Sequence, residues 1–486
     1  MIAYEIYPTS FCDSSHDGIG DLGGIRKKLD YIKEMGFNTI WLNPFYVSPF
    51  KDGGYDVQDF FDVDPRFGTL KDFEKLISKA HGMGIRIIID LVAGHSSFEN
   101  PDFLKSAMAQ RNENSDLFIW NDNPWEKGEN LISGMFDRHG CYMVNFFAHQ
   151  PAFNYGFNRI DHPSWQMSYK DERTFAAREY MLKVMRFWLN KGADGFRVDM
   201  ADSLVKNDDD KSATIEVWND LFRKIRKEFP DAFFVSEWSD PGRSFKAGFD
   251  ADFVLDHWDN FYHRFFRSDA SSRGTSIIDG GGDIDFALND MKERFAQAKK
   301  HKAYLSLISG NHDSKRIADH LNERQLRVFY LFLFTMPGIP FVLYGDELAM
   351  RSSDLPSKDG GYQRTGTRIP MIWNDRKPYH GFCDQKPYLP FNEDNKVSVA
   401  KAKKDEGSLY HYIRKLIALR KKTADLKDPE VSFREENRVF VFKRGRYELV
   451  LNLSDKDFDL EGKKIISTAD FEGKLPAGEG VLVKKA

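Results

Sequence analysis

The strongest constraint on the fold of this 486-residue chain is a recurrence: eight short apolar, β-branched runs lie along it with amphipathic helical stretches between them. The runs are Ala3 to Pro8, Asn38 to Asn43, Ile85 to Val92, Gly195 to Asp199, Ala232 to Glu237, Asp252 to Asp256, Tyr304 to Ser309 and Pro340 to Tyr344. Helical spacing of apolar residues covers Leu22 to Met35, Leu70 to Met83, Arg173 to Leu189, Ala213 to Phe229, Phe286 to Ala298, Glu323 to Thr335 and Leu409 to Lys421. A strand without polar alternation is buried on both faces, and a helix between two such strands is the crossover that makes them parallel. Eight such repeats predict an α/β fold, a closed (β/α)8 or TIM barrel.

A barrel of this kind needs about 250 residues, and the surplus falls in two places. Residues 96–165, rich in Asn, Asp, Pro, Gly and aromatics, are too long for a simple loop after the third strand and predict an inserted domain. Beyond Asp425 the helical period gives way to alternating segments such as Arg438 to Phe442 and Leu449 to Leu453. These predict a C-terminal antiparallel β-sandwich over 426–486, with the barrel divided between 1–95 and 166–425.

Charge and cysteine usage exclude several classes. The formal net charge is -4, with acidic and basic residues interspersed, so the expected partners include neither nucleic acid nor an anionic membrane. Three cysteines, Cys12, Cys141 and Cys383, fit no metal-ligand spacing and predict reduced thiols in the cytoplasm. Strand-like residues begin at Ala3 with no charged n-region or apolar h-region before them, so no signal peptide is expected, and no run is apolar enough to span a bilayer. Oligomeric state is not legible in the sequence. Aromatic residues, at 14%, suit both core packing and sugar stacking, so they decide nothing alone.

Chemistry in a barrel sits at the carboxyl ends of its strands. Five of those ends carry ionisable residues: Asp90 to His95, Arg197 to Asp199, Ser236-Glu237-Trp238, Gly310 to Asp313 and Gly345-Asp346-Glu347. Converging charges cost several kcal/mol each to bury unless they are paired, so a cluster on one rim predicts a catalytic site. Arg197 and Asp199 are two apart and point to one face. The guanidinium is expected to hold Asp199 ionised as a nucleophile, while Glu237, after Phe233-Phe234-Val235 and beside Trp238, is expected to stay protonated as an acid.

Asp90-Leu-Val-Ala-Gly-His95, Gly195-Phe-Arg197-Val-Asp199, Ser236-Glu237-Trp238 and Asn311-His312-Asp313 resemble, in order and spacing, the four signature regions of the α-amylase superfamily of glycoside hydrolases, family 13. The resemblance implies a retaining α-glycosidase acting on α-glucoside oligosaccharides, with no organic cofactor. Asp199 would attack the anomeric carbon, Glu237 would serve as acid and then base, and Asp313 would stabilise the transition state. Arg197, His95 and His312 would bind the same ring and Tyr55 would stack on it. A retaining pair should lie about 5–5.5 Å apart.

Departures from the family refine this. Gly94 stands where the family often has an Asn that helps bind an interdomain calcium. A different structural calcium is implied by Asp13 to Asp21, which resembles a loop of members similar to oligo-1,6-glucosidase, with Asp13, Ser15, Asp17, the Ile19 carbonyl and Asp21 as ligands. His149 to Asn154 resembles a further family segment, with Ala152 and Phe153 departing from the form typical of glucosidases. Asp52 and Arg368 match positions that close the site in related α-glucosidases, and Asp202-Ser203 replaces the Lys-His common in endo-amylases. Both imply an exo-acting α-glucosidase. The alternatives are an endo-acting α-amylase, a transglycosylase or trehalose-synthase-like isomerase, and a non-catalytic protein on the same barrel.

Overall fold

The computed structural model describes residues 1–126, 128–133, 136–255, 259–267, 275–360 and 364–485. Eight parallel strands close a barrel: β1 (Ala3–Ile6), β2 (Thr39–Leu42), β3 (Arg86–Val92), β4 (Gly195–Asp199), β5 (Phe233–Ser236), β6 (Ala251–Val254), β7 (Tyr304–Ile308) and β8 (Ile339–Leu343). Each pairs with its neighbour in sequence, and β1 closes on β8 with Ala3 opposite Phe341. Every expected run is a strand, with ends moved by no more than two residues. The exception in extent is the sixth run, whose expected end, Asp256, lies outside the described residues.

Rings fill the barrel. Trp41 packs on Phe253 at 5.3 Å and Phe253 on Phe341 at 4.9 Å, so the interior is a solid plug beneath the carboxyl rim. The first expected helix is two, Leu22–Lys27 and Leu29–Met35, separated at Lys28, whose φ of -100° and ψ of 5° leave the helical region. Among the described residues four short helices had no periodic signal long enough to read: Pro101–Ser106, Pro241–Lys246, Phe261–Phe266 and Val399–Ala402.

Within residues 96–165 a three-stranded antiparallel sheet forms from Trp120–Asn121, Cys141–Met143 and Leu131–Ser133, in that order. It packs through Phe103, Phe118, Trp120 and Tyr142, and Phe118 stacks at 4.8 Å on Phe153. At the C-terminus the expected sandwich is a single five-stranded antiparallel sheet of β9 (Ser432–Glu436), β10 (Val439–Arg444), β11 (Tyr447–Asn452), β12 (Lys463–Ser467) and β13 (Glu479–Lys484), in the order β9-β10-β11-β13-β12. Alternation explains why one sheet suffices. Phe440, Phe442, Leu449, Leu451 and Leu482 join the main core, with Phe442 against Phe332 of helix Glu323–Thr335. Val439, Val441, Val450, Val481 and Val483 face the other way, under Leu475, Phe458, Leu460 and Phe471. Among the described residues no helix is long and apolar enough to cross a membrane.

Candidate active site

One guanidinium organises the rim. Arg197 Nη1 lies 2.6 Å from Asp90 Oδ1 on β3 and 3.0 Å from Asp199 Oδ1 on β4, while Nη2 lies 2.5 Å from Glu237 Oε1, one residue past β5. The period of two along β4 is what puts Arg197 and Asp199 together. After Asp199 the chain bends at Met200, a non-glycine residue at φ 41°, and the bend aims its N–H at Glu237 Oε2, 3.0 Å away. A left-handed non-glycine costs of order 1–3 kcal/mol, and here it fixes the second carboxylate.

Three carboxyls on one cation cannot all be ionised comfortably in a buried site. Burial pushes Asp90 up to about 6 against the pull of Arg197. Burial and then Glu237 raise Asp199 well above the usual carboxylate range, and Arg197 only partly opposes them. Arg197 acts in the direction expected of it, favouring the charged form of Asp199, and burial with the second carboxyl opposes it. Asp90 and Asp199 thus share one cation in a buried site, and burial works against the charge of both.

Asp313, past β7, is the opposite case. Burial disfavours its charge, but Arg364 and Arg368, with the His312 ring beside them, outweigh burial and hold the carboxyl far below the usual range. Arg368 Nη2 is 2.7 Å from Asp313 Oδ1 and Arg364 Nη1 is 3.1 Å from Oδ2. The expected pair of Asp52 with Arg368 is corrected here: Asp52 binds Arg364 instead, and Arg368 turns to Asp313 and to the His312 carbonyl at 3.0 Å. Arg364 thus bridges Asp52 and Asp313, and Gln150 Nε2 donates to the other Asp52 oxygen at 2.8 Å. Gly53 makes this possible. It has φ 59°, and a Cβ there would stand 2.1 Å from Arg368 Nη1.

Tyr55 is buried, donates to Asp90 Oδ2 at 3.2 Å, and lies parallel to His312 with ring centroids 5.2 Å apart. His312 Nδ1 is 2.8 Å from Glu5 Oε1, which also accepts from Asn43 Nδ2 at 3.2 Å, leaving His312 Nε2 directed toward Asp313 at 3.5 Å. His95 is kept neutral, pushed down to about 3 by burial. Its Nε2 donates to the Tyr55 carbonyl at 3.1 Å, so its Nδ1 accepts from Asn145 at 3.2 Å. Both ring nitrogens are engaged by protein, and the sugar contact expected of His95 would have to displace one of them.

Four contributors escaped the sequence reading. Glu5 and Asn43 carry a usable signal, a polar residue inside or ending an apolar strand. Gln150 lay in a segment read only for its family likeness. Arg364, in the long stretch after β8, carries none. The fifth polar strand end does not join the rim: Asp346 pairs with Arg316 at 2.7 Å, and Glu347 accepts from Tyr4 at 2.7 Å and Tyr31 at 2.5 Å inside the core.

The loop expected to hold calcium closes on itself. Asp13 accepts from the backbone N–H groups of Ser15, His16 and Gly18, and Asp21 from Ser14, Ser15 and Gly24. Asp17 is exposed and accepts from Ile19 N at 2.8 Å. Donors converge where calcium would need acceptors, and among the described residues no group of three His, Cys, Asp or Glu side chains is placed to hold a metal. At Gly94 an added Cβ would lie 2.7 Å from Asn145 Nδ2. The space is taken by Asn145, Ser203 and the buried Lys206 ammonium, which donates to Asn145 Oδ1 at 2.6 Å and the Ser203 carbonyl at 2.7 Å.

This arrangement has known counterparts. A family model described as alpha amylase, catalytic domain, matches residues 5–428. The chain belongs to the α-amylase family. Among curated relatives of this family, alpha-amylase 3 of Dictyoglomus thermophilum is 31% identical over 88% of this chain and 79% of its own length. An oligo-1,6-glucosidase of Parageobacillus thermoglucosidasius is 29% identical over 98% and 90%. A family GH13_31 enzyme superposes with a TM-score of 0.82 at 24% identity, covering 100% of this chain and 99% of its own. Membership makes the chain a glycoside hydrolase of family 13, acting on α-glucosides with retention.

Proposed function

We propose that this enzyme is an exo-acting α-glucosidase that removes glucose from the non-reducing ends of short α-glucosides. Asp199 attacks the anomeric carbon as the bond to the leaving oxygen breaks, and Glu237 delivers its proton to that oxygen. Glu237 then takes a proton from water, whose oxygen attacks the same carbon and expels Asp199. The geometry supports this division: Arg197 holds both carboxyls, through Asp199 Oδ1 at 3.0 Å and Glu237 Oε1 at 2.5 Å, and the Met200 N–H fixes the other Glu237 oxygen at 3.0 Å. Asp313, ionised and braced by two arginines, suits a group that faces developing positive charge on the sugar ring.

The observation that carries the exo reading is the bridge Asp52, Arg364, Asp313. It seats a buried carboxylate and a guanidinium beside the third catalytic carboxyl, where terminal hydroxyls would meet a wall and charged donors and acceptors. The test is a product profile on maltotriose to maltoheptaose and on the same sugars with blocked ends. Glucose and oligomers one unit shorter, with no cleavage of blocked sugars, are expected. Internal fragments or cleavage of blocked sugars would return the assignment to α-amylase, and disaccharides accumulating at high sugar concentration would mark a transferase. Cys12, Cys141 and Cys383, all unpaired, support a reducing compartment such as the cytoplasm.

A further inference from the structure

The amino-terminal mouth of the barrel, opposite the catalytic rim, holds a second cavity. It has a volume of about 500 Å³ and is lined where the strands begin, by Ile2, Asn38, Phe233, Tyr304 and Gly338-Ile339. Its charged side chains are Arg86, Arg420, Lys421 and Lys427, Met1 lies beside them, and no Asp or Glu lines it. In a chain with 74 acidic and 70 basic residues, four cations without a carboxylate among the lining groups is an unbalanced field.

The imbalance is built into the wall. Arg420 is 5% exposed and spends its donors on the carbonyls of Phe334, Met336 and Gly338, at 2.8, 2.8 and 2.6 Å. These carbonyls satisfy its hydrogen bonds but do not neutralise its charge, and burial pushes it down to about 10. Lys421 and Lys427 are exposed, and no carboxylate lines the cavity beside them. Arg86 pairs with Asp194 at 3.7 Å and donates to the carbonyls of Asp194 and Asp231 at 3.3 and 3.1 Å, all outside the cavity lining. Arg420 adds a buried positive charge behind the exposed lysines, and a concave site lined by one sign of charge concentrates the field. Tyr304, 46% exposed at the start of β7, adds an open aromatic face, and Phe233 adds a second ring.

We propose that this cavity binds a phosphorylated small molecule carrying a ring, its phosphates on Arg86, Lys421 and Lys427 and its ring against Tyr304. The volume falls within the range of ligand sites, about 300–1,000 Å³. Binding is independent of the α-glucosidase reading, because none of these residues lies at the catalytic rim.

The test is isothermal titration of the full chain with ATP and with adenosine, repeated on Lys421→Ala/Lys427→Ala. Both lysines are exposed and far from the catalytic groups, so the double variant should keep its melting temperature and glycosidase rate. Expected are saturable ATP binding that weakens with salt, at least tenfold weaker binding of adenosine, and at least tenfold loss in the double variant. Asp199→Ala should bind ATP as the parent does. No saturable heat, equal binding of adenosine, or unchanged binding by the double variant would overturn the proposal.

Discussion

Replacing Arg364 with Ala removes a side chain that bridges two carboxylates, Asp52 and Asp313, the latter at 3.1 Å. Breaking a fully buried ion pair costs about 3–5 kcal/mol when the remaining charge has no recourse. Here both partners have one. Asp313 keeps Arg368 at 2.7 Å, and Asp52 keeps Gln150 at 2.8 Å. Burial has already pushed the Asp52 carboxyl up to about 6 against Arg364, so without that cation it takes a proton near neutral pH. The loss should therefore sit near that of one charge-assisted hydrogen bond, about 2 kcal/mol, or about 30-fold in kcat/KM. The sign with pH follows. The bridge needs Asp52 ionised, so the parent's kcat/KM should fall as pH drops through about 6, where Asp90 also titrates, and the variant's fall should begin at higher pH. Initial rates on maltose from pH 4.5 to 8, with melting temperature as the check on folding, measure both. A kcat/KM within twofold of the parent would refute the bridge as a substrate-binding element.

Three further outcomes follow from the same geometry. Glu347, buried with Tyr4 and Tyr31, is pushed up to about 7 by burial. Its folded form thus holds a proton more tightly than its unfolded form, and stability present below about 4.5 is lost as pH rises to about 7, by a ceiling of about 3 kcal/mol. Glu347→Gln should gain melting temperature relative to the parent across pH 5 to 7 and no further above it; a difference flat with pH would count against this. Because the Asp13 to Asp21 loop is closed by its own amides, a chelator should leave melting temperature and activity unchanged, and a calcium-dependent rise of several degrees would show that the loop reorganises around an ion. Glu5→Ala removes the partner of His312 Nδ1, now 2.8 Å away, and should lower kcat/KM about tenfold through the loss of one buried hydrogen bond of about 1–1.5 kcal/mol, with the fold retained; a rate equal to the parent's would remove Glu5 from the site.

The barrel was legible because its signal is local: each strand is one apolar run, and the ends that carry Asp90, Arg197, Asp199, Glu237 and Asp313 are read directly from strand period and position. Partner choice was not. Asp52 and Arg368 are both at the rim, yet which carboxylate each guanidinium meets depends on the path of residues 345–368, where there is no periodicity to read. Asp346 and Glu347 looked like rim groups for the same reason, and a short 3-10 turn at Asp346–Leu348 carries them into the core instead. The balance of charge around Asp199 was only partly legible, because the sequence displays Arg197 two residues away but not the three carboxyls that share it, nor their burial. The terminal antiparallel domain was legible too, but alternation reports two covered faces without saying what covers them, which here is a barrel helix on one side and loop side chains on the other.

The central claim, that Asp199 and Glu237 act by double displacement, is tested most directly by the configuration of the first sugar released. Proton NMR of a fresh digest of maltose, taken before mutarotation, should show α-glucose from the non-reducing unit, because two inversions at the anomeric carbon restore its configuration. β-Glucose as the first product of that unit would mean that water attacks directly, and would contradict the assignment of Asp199 as nucleophile.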